Sequence, residues 1–429
     1  MKKIISIAVL VLIVFTVSEI SAQTENFKRS NELRKESIQK YLANDYHGFL
    51  ASTLNAVRLR KNHPTLLYNT AIGYALTNKP DSSIFFLNKI ADMHLYFDAG
   101  NDSDFVSLWN NEKFKDVVKR LNSSKEHKGQ SEFAFSLPEK DLLTESVAYS
   151  PLTETFFVGS IHKRKIYSVS KNGEVQIFAE SQKNDFGGVF GIKVDEANKL
   201  LWACTGYLPQ MKNYNEEQNG IGEIIKFDIN TKEIINKYRI NEGDHLFGDL
   251  TINSNGDVYV SDSRSNNIYI IKNGSDKIEL LISSDNFVSL QGIDFSNDYK
   301  YLFAADYATG LYKIDLESMN VYSINIPEDL TDLGLDGLYF YKNSLIGIQN
   351  GVQPQRVIKM NLSDSFNNVL SWEIIEANNE YFFEPTLGVL SGGEFYYIAN
   401  SQWPLFKNDG SVAPDNELKN PVILKTKLE

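Results

Sequence analysis

The sequence predicts a multidomain chain, with a small all-α domain followed by an all-β six-bladed propeller. Three observations predict it. Apolar residues recur at spacings near three and four up to about Asn122. The pattern then changes to strands and stays there to the end. The strand region also repeats one unit about six times, at a period of roughly 42 to 58 residues, close to the range of propeller blades.

In the first region Ile38, Leu42, Phe49, Leu50, Leu54 and Val57 form one apolar series. Pro64 opens a second helix with Leu66, Leu67, Ala71, Tyr74 and Ala75 on a stripe. Asp81 and Ser82 are placed to cap a third, which carries Ile84, Leu87 and Ile90, and a last helix runs around Phe114 to Leu121. Polar residues 123–131 read as a linker. The domains expected are therefore 26–122 helical, 123–131 linker and 132–429 propeller.

The strand units share a grammar. An inner apolar strand leads to a turn rich in Asn, Asp and Gly, then a second strand, a loop and a third, with some units continuing into a fourth. Examples are GDLTINSNGDVYVSDSRSNNIYII from Gly248 and QGIDFSNDYKYLFAADYATGLYKIDL from Gln291. A lone blade exposes both faces, and radial packing against neighbours buries them. The early strand Glu132 to Pro138 is available to complete the last blade and close the ring.

The N-terminus has the layout of a signal peptide, residues 1–22. Lys2 and Lys3 precede an apolar run from Ile4 to Val17, and small residues Ser21 and Ala22 mark a cleavage point. An uncleaved anchor is the other reading, although the run is short for a span of about 20 residues. The expectation is export to the periplasm or exterior, with no transmembrane span after signal removal. Cys204 is the sole cysteine, so no intramolecular disulfide forms. A net charge of −12 argues against a nucleic-acid partner.

Residues at the start of each inner strand face the mouth of a propeller's channel. Here these are Glu145, Gly191 or a neighbour, Asp249, Gln291, Asp336 and Glu384. Carboxylates gathered on one axis repel one another unless a cation sits among them, and calcium accepts about six to eight such oxygens in loose geometry. Glu384 reads equally well as a structural carboxylate. Asp262 and Asp306 end second strands, where Asp ties off turns, and Cys204 reads as core. His162 and His245 lie in loop-like segments and read as surface residues, His245 being the better candidate for the mouth. Gln353, Gln355 and Arg356 are rim candidates, Arg356 being equally readable as a solvated charge. No Gly-x-Ser-x-Gly elbow or His-Glu-x-x-His motif is present.

Two resemblances add to this. Helix–turn–helix with Tyr74-Ala75 before the turn at Asn78 to Pro80 resembles a tetratricopeptide repeat, and DSDFVSLWNNEKFKDVVKRL resembles the segment that often ends such arrays. A plain helical bundle is the alternative. In the strand region LTESVAYSP from Leu143, GDLTINSNGDVYVSDS from Gly248, LQGIDFSNDYKYLFAAD from Leu290 and LDGLYFYKNSLIGI from Leu335 are similar to motifs of the gluconolactonase and regucalcin (senescence marker protein) superfamily, with paraoxonase a more distant relative. The resemblance implies Glu145, Gln291 and Asp336 as ligands of a divalent metal, calcium foremost. Asp249 or Asp336 would be general base in hydrolysis of a lactone or related ester. Gln291 departs from the family, which has Asn there. The competing expectation is a non-catalytic propeller binding a protein, peptide or glycan, with the helical domain offering a protein-binding surface.

Overall fold

A computed structural model of the protein describes residues 25–428, so the expected signal peptide lies outside the described residues. Two units are distinguished: residues 1–126 with Ile326–Asp332, and His127–Asn325 with Leu333–Glu429. Among the described residues, no helix is long and apolar enough to cross a membrane.

The helical unit begins with α1 (25–42), followed by α2 (Tyr46–Leu59), α3 (Pro64–Leu76), α4 (Pro80–Asp92) and, after a 3₁₀ turn at Ser103–Leu108, α5 (Glu112–Ser123). Successive helices from α2 to α4 pack on one another. Gly73 permits the closest approach, since a Cβ there would stand 3.1 Å from Leu50 Cα. Ser83 ties α4 to α3 by donating to the Ala71 carbonyl at 2.8 Å. Leu66, Leu67, Ala71, Leu87, Ile90, Phe105, Phe114 and Val117 are buried.

Two sequence expectations change here. Ile38 and Leu42 are exposed, because α1 buries Ser30, Leu33 and Ser37 instead. A seryl hydroxyl can be buried once it bonds a backbone carbonyl, as Ser30 does with Ala56 and Ser37 with Arg34. The α4 N-cap is Lys79, not Asp81 or Ser82, because Pro80 with its fixed φ takes the first helical position.

The second unit contains six sheets, each with at least four antiparallel strands. Blade 1 is Val147–Ser150, Thr155–Ser160, Lys165–Ser170 and Val175–Glu180. Blade 2 is Gly188–Asp195, Leu200–Gly206, Gly222–Asp228 and Ile234–Ile240. Blade 3 is Phe247–Ile252, Val258–Asp262, Asn267–Ile271 and Glu279–Ser283. Blade 4 is Leu290–Phe295, Tyr301–Asp306, Gly310–Asp315 and Asn320–Ser323. Blade 5 is Leu335–Tyr341, Ser344–Gln349, Arg356–Leu362 and Val369–Ala377. Blade 6 is Gly388–Ser391, Glu394–Ile398 and Val422–Lys427, and its outer strand is Glu132–Ser136 from the start of the unit. The ring thus closes on the early strand that the sequence offered for it. Lys128–Gly129, within the segment read as linker, adds a short fifth strand to blade 5.

Apolar faces are buried between neighbouring blades. Phe157, Phe178 and Phe227 join blades 1 and 2, Tyr259, Phe295 and Tyr312 join blades 3 and 4, and Phe303 stacks on Phe340 at 5.3 Å between blades 4 and 5. Tyr339, Phe395 and Tyr397 join blades 5 and 6. Second strands are largely buried on both faces, Leu200–Gly206 along its whole length, which is why they read as mostly apolar runs. Asp306 ties its turn by accepting from the backbone N–H groups of Val288, Ser289, Ala308 and Thr309 at 2.7–3.0 Å. Asp262 does the same for Leu246 and Arg264.

Candidate functional site

The inner strands of blades 2 to 5 share one irregularity. Register shifts between Val189 and Ile192, Phe247 and Leu250, Leu290 and Ile293, and Leu335 and Leu338. In each blade two inner-strand residues face a single residue of the next strand, which is a β-bulge. A bulge bends its strand and re-aims a side chain. The bulged pairs are Phe190-Gly191, Gly248-Asp249, Gln291-Gly292 and Asp336-Gly337. Glu145 and Glu384 lie in the segments entering blades 1 and 6.

The four residues expected as metal ligands or catalytic acids, Glu145, Asp249, Gln291 and Asp336, share one cavity of about 230 Å³, which Gly191, His245, Gln353, Gln355 and Arg356 do not line. Glu384 lines it as well, with Phe190, Tyr307, Asn350 and Trp403 among the others. Blade 2 contributes no carboxylate because Gly191 stands against Asp249. A Cβ on Gly191 would fall 2.8 Å from Asp249 Cα. Gly248 is small for a similar reason, since its Cβ would meet Ser263 Oγ at 2.6 Å.

Each acid has a distinct setting. Glu145 is held from blade 6, whose Leu387 N–H and Thr386 hydroxyl donate to its backbone carbonyl at 2.9 and 2.8 Å. Its Oε1 accepts from the Trp403 indole N–H. Burial and the neighbouring Asp336 push its carboxyl well above the usual range, against that hydrogen bond. Burial also raises Asp336, to about 7, with Asn350 opposing and Glu384 and Asp249 adding to it. Asn350 donates to Asp336 Oδ2 at 2.7 Å and to the Pro385 carbonyl at 3.0 Å, and accepts from the Tyr307 hydroxyl at 3.0 Å. Asp249 is raised by burial and lowered by Lys193. Its Oδ2 accepts from Ile293 N–H at 3.3 Å.

Glu384 is the most telling. Its backbone sits at φ 63°, a left-handed conformation uncommon for a residue with a Cβ. The Gln355 side chain fixes that turn by accepting from Glu384 N–H at 3.0 Å. Glu384 Oε2 is buried with no hydrogen-bond partner among the described residues. Sequence reading left this residue open between site and scaffold; the structure places it in the cavity wall with the other three acids. Asn350, Tyr307 and Trp403 were not picked out from the sequence. Tyr307 and Asn350 each directly follow the last residue of a second strand, as Ser263 does in blade 3, and that shared position was the signal available, whereas Trp403 lies further into its loop.

Other expectations are corrected. Arg356 is fully buried, its Nε donating to Gln349 at 2.7 Å and its guanidinium over the Trp372 ring, so it is neither rim nor solvated charge. His245 is held at 2.6 Å from Asp262 and 2.8 Å from the Glu242 carbonyl. His162 packs on Phe406. Both histidines are buried, because each ring finds a polar partner as well as apolar neighbours.

The donor set, carboxylate and amide oxygens with a partnerless acid oxygen among them, has the chemistry of a hard-cation site. Among the described residues, however, no three His, Cys, Asp or Glu side chains are grouped to hold a metal ion as they stand. Any such ion would therefore draw on other oxygens as well, such as the Gln291 or Asn350 amide, a backbone carbonyl or water.

No family model matches the chain, and no curated protein is similar to it in sequence. Solved structures similar to it include six-bladed propellers of several kinds. A gluconolactonase from Xanthomonas campestris is 12% identical, with a TM-score of 0.46 over 68% of this chain and 87% of its own. A luciferin-regenerating enzyme is 15% identical, with a TM-score of 0.48 over 70% and 95%. A PQQ-bound aldose sugar dehydrogenase from Streptomyces coelicolor is 11% identical, with a TM-score of 0.48 over 70% and 98%.

Proposed function

We propose that the cavity binds a divalent cation, calcium foremost, and hydrolyses a small lactone or related ester, and that the protein works outside the cytoplasm. The observation that carries the chemical reading is the convergence of four acids on one cavity, Glu384 keeping a buried oxygen without a partner. The leader-like N-terminus supports export.

Glu145, Gln291 and Asp336 are the residues that would hold the cation, with Glu384 beside them. When bound, the cation supplies Lewis-acid polarisation of a carbonyl. Asp249 is then the base that accepts a proton from water. Burial raises its carboxyl above the ordinary range, which makes its carboxylate the better proton acceptor; Lys193 opposes that rise, and the Ile293 N–H fixes one of its oxygens. Asp336 is the second candidate for that role, since a group titrating near 7 exchanges protons readily at neutral pH. Phe190, Leu246 and Leu387 give the cavity an apolar wall for a ligand's carbon skeleton.

A second reading, a non-catalytic propeller that binds its ligand at this mouth, is favoured by the engagement of Glu145 with Trp403. Calorimetric titration with calcium, alongside lactone hydrolysis assays, separates the two. Wild type is expected to bind and hydrolyse. Asp336→Ala is expected to lose cation affinity on the order of a hundredfold, since losing a ligand costs at least what losing an outer-shell partner does, and to lose hydrolysis with it. Equal hydrolysis by both proteins sinks the mechanism. Failure of wild type to bind calcium, magnesium, manganese or zinc leaves the binding reading.

A further inference from the structure

Blade 6 joins its second and third strands by the long segment 399–421, where a short turn would serve. Long connections in propellers and other compact domains are commonly functional. This one is tied at its base. Asn400 donates to the Asn420 carbonyl at 3.1 Å and accepts from Val422 N–H at 2.7 Å. Gln402 donates to the Lys419 carbonyl at 2.8 Å and accepts from Lys419 N–H at 2.7 Å.

From that base the segment reaches blades 1 and 2. Its Phe406 and Leu418 are buried in a cluster with Leu143, Ile161, Phe190 and Tyr207. Asn408 accepts from Gln210 at 2.7 Å. The segment is therefore a strap that runs from blade 6 to blade 2, and it sets one residue, Trp403, into the wall of the acid cavity. Gln402, just before it, is at φ 68°, a costly conformation for a non-glycine residue that persists only where the surroundings enforce it.

The indole has a single donor. It is spent on Glu145 Oε1, which leaves Oε2 as the oxygen available to the cavity. We infer that Trp403 is a positioning residue for Glu145: through this hydrogen bond the strap 399–421 fixes how the Glu145 carboxyl is presented to the cavity, and the carboxyl in turn helps to hold the strap down. The link to cation binding rests on the function proposed above; the hydrogen bond does not.

The test uses the full chain with 15N-labelled tryptophan. Four indole resonances are expected from the four tryptophans, and the Trp403 signal is the one missing in Trp403→Phe. With no metal present, Glu145→Gln is expected to shift that signal and leave the other three in place. In Trp403→Phe, trypsin is expected to cut the strap at Lys407 or Lys419 faster by about three- to tenfold, as loss of one hydrogen bond implies. Its calcium affinity is expected to fall about 10–100-fold, as for a lost outer-shell partner. An unmoved indole signal in Glu145→Gln, or unchanged trypsin cutting in Trp403→Phe, overturns the inference. A moved signal in a protein that binds no cation upholds the positioning role and removes the cation from the proposed function instead.

Discussion

Asp336→Asn is expected to melt several degrees higher than wild type at pH 8 in the absence of divalent cations, and to be inactive. The Asp336 carboxyl titrates at about 7 in the fold, raised from 3.8 by burial first and then by Glu384 and Asp249, against the hydrogen bond from Asn350. An acid raised in this way binds its proton more tightly folded than unfolded. Its contribution to stability is present below about pH 4 and is lost as pH rises through about 7. At pH 8 the wild-type cavity therefore carries charges that cost stability, and the neutral amide removes one of them. A shift of about three pKa units corresponds to a few kcal/mol, and because the strain is shared with Glu145 a single substitution relieves on the order of 1–3 kcal/mol of it. The Asn350 amide still finds an oxygen to donate to in the variant. Thermal melts at pH 4 and pH 8 are the check. The difference between the proteins should be small at pH 4, where Asp336 is protonated, and positive at pH 8. A variant that melts below wild type at pH 8 would show that Asp336 is a structural acid. Added calcium should close the gap from the wild-type side, because binding only to the folded state stabilises it. Residues that reduce stability where they sit are expected at working sites, and this cavity concentrates four of them.

The propeller was legible because its second strands are largely buried on both faces and are therefore mostly apolar, polar residues falling mainly at their ends. LLWACTG, VYVSD and SLIGIQ stand out in the sequence for that reason. Outer strands were less so. Glu279–Ser283 is partly or fully exposed along its length, and Ile234–Ile240 carries a bulge near its start, so neither keeps a clean alternation. The acids that line the cavity were legible because they lie near the starts of inner strands, although not at one repeat position: Asp336 is the first residue of its bulge, Asp249 the second, and Glu384 lies ahead of its strand. Trp403 was not legible, because it lies within the long loop 399–421, which no other blade matches in length. Asn350 follows its second strand directly, as Ser263 and Tyr307 do, but the residue types at that position differ from blade to blade. Arg356 shows the opposite limit. Charge predicts exposure, yet a guanidinium can be buried when a planar amide and an indole face meet it, and neither Gln349 nor Trp372 is marked as its partner by spacing alone. In the helical unit the buried face of α1 was misplaced because Ser30 and Ser37, polar by type, satisfy their hydroxyls on backbone carbonyls and go inside.

Deleting residues 132–136 is expected to abolish cooperative folding of the propeller. This strand joins the start of the unit to its end. It pairs Glu132 with Lys425, Phe133 with Leu424, Phe135 with Ile423 and Ser136 with Val422. Leu137 N–H then donates to the Pro421 carbonyl at 3.0 Å. Phe135 lies 5.0 Å from Phe156 of blade 1, and Leu137 is fully buried in the cluster that joins blades 6 and 1. The ladder supplies several backbone hydrogen bonds at about 1 kcal/mol each. No side chain of 132–136 is fully buried, so the half-buried Phe135 and Ala134 add only about 1–2 kcal/mol. Together these are on the order of 5 kcal/mol, and Leu137, left without its strand, loses its anchorage as well; that is comparable with the whole stability of a marginal domain. The loss is also qualitative, because Val422–Lys427 becomes an open edge that invites pairing with other chains. Thermal melts, circular dichroism and gel filtration are the readouts, with a broad or absent transition and aggregation expected. Phe135→Ala is the graded control. It removes the ring and keeps the ladder, so it should melt cooperatively at a lower temperature, by about 1–2 kcal/mol of stability given that the ring is only half-buried. If the deletion variant instead melted as sharply as wild type and within a few degrees of it, the six blades would be held by their radial faces alone, and the early strand would be a cover for the edge without being the clasp of the ring.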